Sequence, residues 1–245
     1  MTEQYALPLE YLLQSICSDP ANFPTRSNYY SRYCQIVDQL RNEVYKRVNE
    51  GLSALSEESG LYTDHSEDHF DEVVLHAGIL LGLNRKADID GITEQVLSNG
   101  WLLTPYEVYI LLLSIRLHDV GNIYGREFHE QNINKVIQRF TLVHLHKDKI
   151  ESTMIAAIAG AHGGKTREGD KDTIGKLREN SSFNAHICDI DCRKIAAITR
   201  FADEVCENRQ RVLSSSALDI PIHNLVFHKY AEGIVGNSVK QRMLC

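Results

Sequence analysis

The feature that most constrains the fold is a nearly uninterrupted apolar segment that ends in two ionisable residues. Residues 108–117 are apolar except for Ser114 and Arg116, and His118 and Asp119 follow them directly. A segment of this kind is expected to form a helix that packs on nearly every side in the core of a domain. Two adjacent ionisable groups at its end would be costly to bury without partners, and a metal ion is the obvious partner.

Both ends of this helix can be predicted from the sequence. Thr104-Pro105-Tyr106-Glu107 is typical of a capping box with proline at the first helical position. The His-Asp pair then lies about four turns from the start of the helix. Gly121 is expected to let the backbone turn away behind the pair.

Other ionisable residues fall within predicted helices or at their ends: His65, His69, His129, His162 and Asp203. Taken singly, each has an ordinary structural interpretation. A histidine at a helix end can complement the helix dipole. Arg200 and Asp203 could form a surface ion pair, being three positions apart on a helix.

As an ordered set, these residues resemble the HD superfamily of metal-dependent phosphohydrolases. The first histidine of that family is matched by His69 in His-Phe-Asp-Glu-Val, and the pair that gives it its name is matched by His118 and Asp119 in His-Asp-Val-Gly-Asn. The last aspartate is matched by Asp203 in Arg-Phe-Ala-Asp-Glu. The resemblance covers roughly residues 60–210, and the combination is far more specific than any single motif.

The resemblance implies a metal site and a division of its ligands. The first ion would be held by His69, His118, Asp119 and Asp203. A second ion would be held by Asp119, His129 and His162. With one ion alone, those last residues would face the substrate and orient the nucleophile, and they are therefore the expected catalytic residues. Family members with two metals often carry consecutive histidines where this chain has His162-Gly163.

The expected cofactor is a divalent transition metal, as one or two ions. Imidazoles and carboxylates suit Mn, Fe, Zn, Ni or Co, which the sequence does not distinguish, and Mg is possible. Such an ion neutralises phosphate charge and lowers the pKa of a bound water. The resemblance therefore implies hydrolysis of a phosphomonoester or phosphodiester, with nucleotides or cyclic nucleotides as the leading substrate class.

Further residues are expected to contact the substrate phosphate: His65, Arg126, Lys165 and Arg167. Lys165 and Arg167 belong to an irregular segment, residues 163–182, that is rich in glycine and carries balanced charges. This segment is either a solvated connection or a mobile flap that closes over bound phosphate.

Two other functions remain open from the sequence. The chain could be a catalytically inactive HD-type regulatory module that binds a metal or a nucleotide. It could also be a structural dimer of helices with incidental histidines, although that hypothesis does not account for the ordered motif set.

The predicted fold is all-α, an HD-type bundle of about eight helices with a short extended C-terminal segment. We divide the chain into an N-terminal arm (residues 1–28), a helical metal-binding domain (29–212) and an extended tail (213–245). The arm could pack on the domain or on a second subunit, so a homo-oligomer is possible.

Composition excludes some classes of function. A net charge of −7 argues against nonspecific nucleic-acid binding, which needs a basic face. The sequence contains no apolar run long enough to cross a membrane and no secretory leader, so a cytoplasmic location is expected. The six cysteines show no short-spaced disulfide framework, which fits a reducing compartment.

Overall fold

The predicted all-α class is confirmed. The computed structural model describes residues 7–48, 67–83, 103–163, 165–166, 169–177, 180–182, 189–206, 239–240 and 243–244. Within these ranges the chain forms seven α-helices, and its β-structure is limited to two short antiparallel pairs of strands. None of the described helices combines the length and apolar character needed to span a bilayer.

The helices in chain order are α1 (Pro8–Ile16), α2 (Tyr29–Gln39), α3 (Glu67–Leu80), α4 (Pro105–Leu117), α5 (Ile133–Arg139), α6 (Lys149–Gly160) and α7 (Cys192–Val205). Helix α2 continues through a π-helical turn at Leu40–Val44 and remains helical to residue 48. Short 3-10 turns cover Pro20–Asn22, Val120–Tyr124 and His129–Gln131.

The strands form two separate pairs. Strand β1 (Asn180–Ser182) pairs with β2 (Asp189–Asp191), and β3 (Val239–Lys240) pairs with β4 (Met243–Leu244). The second pair lies in the predicted extended tail, whereas residues 213–238 of that tail lie outside the described residues. The division of the chain at residues 28 and 212 stays a prediction.

Helix α4 is the central element of the bundle. It contacts α1, α2, α3, α6 and α7, and every residue from Tyr106 to Leu117 is buried. The capping box is present, because the Glu107 N–H donates to Thr104 Oγ1 at 3.2 Å and the Thr104 N–H donates to Glu107 Oε2 at 2.8 Å. The predicted core helix and its starting residue are thus confirmed.

Helix α1, which lies in the predicted arm, belongs to the same core as α4. Its side chains Leu9, Leu12 and Leu13 are fully buried within the main hydrophobic cluster. Helix α1 also contacts α3. The residues of α1 are therefore packed directly against α3, which carries His69, and against α4, which directly precedes His118.

One expected core residue of α7 is exposed. The spacing of apolar residues in the sequence predicts a buried stripe on this helix that includes Phe201, but the Phe201 side chain is 41% exposed. The buried face of α7 contains Ile195, Ile198, Ala202 and Val205, which follow the helical spacing of three and four residues. Phe201 lies on the opposite side of the helix, so this part of the predicted stripe is wrong.

Candidate metal centre

A first group of ligand-type atoms lies where α3, α4 and α7 meet. The Nε2 atoms of His69 and His118 are 3.1 Å apart. Asp203 Oδ1 lies 3.4 Å from the first of these nitrogens and 3.5 Å from the second. Asp119 Oδ2 completes the group, at 3.7 Å from His69 Nε2 and 3.4 Å from His118 Nε2. The four residues that the sequence assigned to one ion are therefore brought together.

A second group lies on the other side of Asp119. Asp119 Oδ1 is 3.0 Å from His129 Nε2 and 3.5 Å from His162 Nε2. The two imidazole nitrogens are themselves 3.3 Å apart. These are the residues that the sequence assigned to a second ion or to the nucleophile.

Asp119 joins the two groups because each of its oxygens faces a different one. Oδ2 points to the His69 group and Oδ1 to the His129 group. The centre is buried: the exposed fraction is 2% for Asp119, 0% for His118 and 5% for His162. A carboxylate between two sets of imidazoles is an arrangement that can bridge two metal ions.

Each candidate ligand reaches the centre from the end of a helix or from a tight turn. His118 and Asp119 follow the last residue of α4, and His162 comes two residues after the end of α6. Asp203 lies in the last turn of α7, and His69 lies in the first turn of α3. Because α3 packs extensively on α7, these separate segments meet at one point.

Three of the histidines are held in the same way. In each, the Nδ1–H group can donate to the main-chain carbonyl three residues earlier, which leaves the Nε2 lone pair directed at the centre. The donor and acceptor pairs are His118 with Ile115 at 2.7 Å, His129 with Arg126 at 3.0 Å and His162 with Ala159 at 2.7 Å. Carbonyl partners of this kind fix the tautomer that a metal-binding histidine needs.

The fourth histidine has a thiol partner that the sequence analysis missed. Cys206 Sγ donates to the main-chain carbonyl of Asp203 at 3.0 Å, and the same sulfur lies 3.6 Å from His69 Nδ1. The sulfur can therefore accept the His69 Nδ1–H while its own hydrogen is used elsewhere. Cys206 directly follows α7, three residues after Asp203, and this spacing is the only sequence signal for it.

Two glycines place the turn that carries His129. A Cβ at Gly121 would lie 1.8 Å from the His129 carbonyl oxygen, and a Cβ at Gly160 would lie 2.6 Å from the Glu130 carbonyl oxygen. The expected role of Gly121 is therefore wrong in detail. The chain continues as the 3-10 turn Val120–Tyr124, and the glycine is needed for the close approach of His129 instead of for a change of direction.

The carboxylates change the proton affinity of the imidazoles. Burial lowers the pKa of His118, but Asp119 and Asp203 outweigh it and raise this pKa to about 10. Burial also lowers the pKa of His129, but hydrogen bonds to Asp119 and Glu130 raise it to about 9. Burial alone would raise the pKa of Asp203, yet the facing histidines hold it well below its usual range. The carboxylates of the centre therefore stabilise positive charge on the facing groups.

The donor set fits one or two divalent metal ions. Metal–ligand bonds of about 2.0–2.2 Å place neighbouring ligand atoms roughly 3–3.5 Å apart. The distances given above for both groups fall in this range, except for the distance from His69 to Asp119, which is 3.7 Å. Nitrogen lone pairs that face one another across 3.1 Å, beside carboxylates, need a cation or a proton between them.

Of the four residues expected to contact phosphate, the structure describes two, Arg126 and Lys165. Arg126 Nη1 lies 3.7 Å from Asp119 Oδ1, and its side chain is 44% exposed, so it sits at the edge of the centre. Lys165 lines a cavity of about 300 Å³ that Glu130 and Ala161 also line, next in sequence to the proposed ligands His129 and His162. His65 and Arg167 lie outside the described residues.

The described part of the 163–182 segment is hydrogen-bonded to the bundle. The Thr173 hydroxyl donates to the Ala161 carbonyl at 2.9 Å, and Arg193 donates to the carbonyls of Gly175 and Leu177 at 2.8 and 3.0 Å. Closure of this segment over a bound phosphate stays a prediction. The fastening was missed because it depends on main-chain carbonyls, which no sequence pattern marks.

Asn122 is another buried polar residue that sequence reasoning did not select. Its side chain is 0% exposed, and within the described part of the chain neither Oδ1 nor Nδ2 has a hydrogen-bond partner. It lies in the turn directly after the His-Asp pair. A buried amide normally forms hydrogen bonds, so the Asn122 amide needs a partner that the packing around Asp119 does not provide.

Comparison with known proteins identifies the family. A family model described as HD-CE matches residues 60–234. The chain belongs to the HD-CE family. The matched region contains both groups of the centre, from His69 to Asp203, and supports an HD-type domain. No curated protein and no solved structure shows a significant match to the chain.

The contact at Gly121 generates a prediction about the second group of ligands. We expect Gly121→Ala to push the His129 turn away from Asp119, because the added methyl group would collide with a main-chain carbonyl. Metal titration should show weaker binding at the His129 group, with binding at the His69 group retained. The matched control is Gly163→Ala, where the Cβ meets nothing within 4 Å. If both variants bind like the wild type, the close approach does not matter.

The raised pKa values generate a prediction about protons. At pH 7 His118 and His129 are protonated in the metal-free protein, since their pKa values are about 10 and about 9. Metal binding must displace these protons, so apparent affinity should increase as pH rises toward those values. Calorimetry at pH 7 in buffers of different ionisation enthalpy should detect proton release. Binding without proton release would contradict this account of the electrostatics.

Proposed function

We propose that this HD-CE protein is a metal-dependent phosphohydrolase that acts on a phosphomonoester or phosphodiester, most plausibly a nucleotide or cyclic nucleotide. The observation that carries the proposal is the Asp119 carboxylate, whose two oxygens face two separate sets of imidazoles. The family match and the fit of the ligand-atom separations to metal–ligand bonds support it further.

We assign the ligands as follows. His69, His118, Asp119 and Asp203 hold a first ion, and Asp119, His129 and His162 hold a second ion or orient the nucleophile. A divalent ion bound there would neutralise phosphate charge and lower the pKa of a water molecule enough for attack on phosphorus near neutral pH. Because these residues are buried, the reacting groups would lie in a water-poor environment, where electrostatic interactions are strong.

Arg126 and Lys165 are proposed to bind the phosphate. The Arg126 guanidinium stands at the exposed edge of the centre, within 3.7 Å of Asp119, where it can donate to phosphate oxygens. Lys165 lines the neighbouring cavity and can add a second positive charge. His65 and Arg167 retain the same assignment as sequence-based predictions.

The assignment predicts two classes of variant. His118→Ala and Asp119→Ala should remove the first ion and with it all turnover. His129→Ala and His162→Ala should retain the first ion but reduce turnover strongly, roughly 100-fold or more, because they serve the second ion or the nucleophile. Metal content by mass spectrometry, paired with steady-state rates, separates the classes. Equal metal loss in His129→Ala and His69→Ala would show that the ligands are divided wrongly.

The proposed activity is tested on purified protein. The metal should first be identified by elemental analysis, and turnover should then be screened with a panel of phosphomonoesters, nucleotides and cyclic nucleotides. Phosphate release that disappears with a chelator, and that Asp119→Ala abolishes, is the expected result. Tight metal binding without turnover on any member of the panel would contradict hydrolysis and favour a regulatory binding module.

A further inference from the structure

A buried network of charged groups lies beside the candidate metal centre. None of the proposed ligands belongs to this network. We propose that Arg116 is a positioning residue: by tying α3 to α4 it sets the separation of His69 and His118. This inference rests on the ligand assignment made above. It goes beyond that assignment because it gives a role to Arg116, the one charged residue in the apolar segment 108–117 of α4.

Each of the three nitrogens of the Arg116 guanidinium has a partner. Its side chain is 0% exposed, Nη2 donates to Glu10 Oε1 at 2.7 Å, and Nε donates to the Tyr33 hydroxyl at 2.9 Å. Nη1 forms an ion pair with Asp71 Oδ1. The Tyr33 hydroxyl in turn donates to Glu10. One arginine on α4 therefore connects α1, α2 and α3.

The network crosses the same interface as the ligand pair. Asp71 lies two residues after His69 on α3, and Arg116 lies two residues before His118, within the last turn of α4. The ion pair is thus within one helical turn of the point where the two imidazoles approach to 3.1 Å. Asp71 and His69 belong to the same helix, and Arg116 lies in the last turn of α4, the helix that directly precedes His118. A change in the Asp71–Arg116 ion pair is therefore expected to shift the two imidazoles.

Asp71 is also held from its other side. Arg41 Nη2 lies 3.1 Å from both Asp71 oxygens, and Arg41 Nε lies 2.8 Å from Glu67 Oε1 at the start of α3. The Tyr45 hydroxyl donates to the Arg116 main-chain carbonyl at 3.0 Å. Together these bonds fix both the side chain and the backbone of Arg116.

Stability alone is a poor explanation for this network. Taking a guanidinium and carboxylates out of water is costly, and well-packed apolar residues in place of buried ion pairs are often as stable or more so. A network of fixed donors, in contrast, allows only one relative placement of the helices. Residues that support metal ligands commonly change metal affinity by roughly 10–100-fold when they are replaced.

Part of this support comes from outside the region that matches the family model. The match begins at residue 60, whereas Glu10 and Tyr33 precede it in the chain. Helices α1 and α2 would therefore contribute to the geometry of the metal centre without contributing a ligand. This makes the contacts of Glu10 and Tyr33 with Arg116, and not N-terminal packing in general, a condition for tight metal binding.

The chain offers a matched control on the same central bundle. Arg32 and Glu151 form a second ion pair, at 2.7 Å, with side chains 14% and 0% exposed. Like Arg116, Arg32 is surrounded by tyrosines, with Tyr29 and Tyr109 beneath its guanidinium. The Arg32–Glu151 pair joins α2 to the first turn of α6, at the opposite end of that helix from His162.

The test compares Asp71→Asn, Arg116→Met and the control Arg32→Met with the wild type. Metal affinity is measured by competition with a chromophoric chelator, and Co²⁺ absorption spectra report ligand geometry. Asp71→Asn and Arg116→Met should weaken metal binding by roughly 10–100-fold and alter the Co²⁺ spectrum. Arg32→Met should lower unfolding stability but leave affinity within about twofold, since it touches none of the ligand-bearing helix ends.

Wild-type affinity and spectrum in folded Asp71→Asn would overturn the proposal, as would an equal loss of affinity in Arg32→Met. If Arg116→Met does not fold, Asp71→Asn decides the question, because its side chain is 33% exposed and tolerates the change better. Failure of the proposed hydrolysis is distinguishable, since it leaves wild-type metal affinity intact while turnover is absent. Wild-type protein that binds no metal would overturn both proposals.

Discussion

The structure depends on one carboxylate, Asp119, that faces two sets of imidazoles from the end of a buried helix. A charged group at this depth is tolerated only when its surroundings supply compensating positive charge. Without a metal, protons on His118 and His129 supply it, which is why the pKa values of both histidines are raised, to about 10 and about 9. In the proposed metal-bound state, the same histidines would be neutral ligands. The centre is thus defined by its need for positive charge.

The rest of the bundle keeps these carboxylates and imidazoles close together. Main-chain carbonyls three residues earlier orient three of the imidazoles, and the Cys206 sulfur lies against the fourth. Gly121 and Gly160 admit the turn that carries His129. On the other side, Arg116 joins the helices that carry His69 and His118. Together these contacts limit the movement of the candidate ligand residues.

Much of this could be predicted from the sequence because the information is local. The apolar residues of α4, the capping box at Thr104 and the order of the His and Asp motifs are contiguous patterns. They correctly predicted an all-α bundle with a central buried helix. They also selected residues that prove to be neighbours in space, although the sequence alone could not say that Asp119 turns one oxygen to each group.

What the sequence did not reveal depends on distant partners. In the sequence Arg116 is only an interruption of an apolar segment. Its ion pairs cannot be predicted, because Glu10 and Asp71 are far away in the chain. The role of Gly121 was misjudged because the atom it must avoid, the His129 carbonyl oxygen, belongs to the next turn. Phe201 fits the apolar stripe of α7 in the sequence, but which face of α7 is buried depends on the helices that pack against it, and Phe201 lies on the exposed face.

The most direct measurement of the central claim is anomalous diffraction from crystals of the wild-type protein, recorded at the absorption edge of the metal found by elemental analysis. The account predicts a peak between His69, His118 and Asp203 that also contacts Asp119, with ligand distances of about 2.0–2.2 Å. A second peak, if present, should lie between Asp119, His129 and His162. A metal-loaded protein with no peak beside Asp119, or with its metal bound elsewhere, would contradict the account.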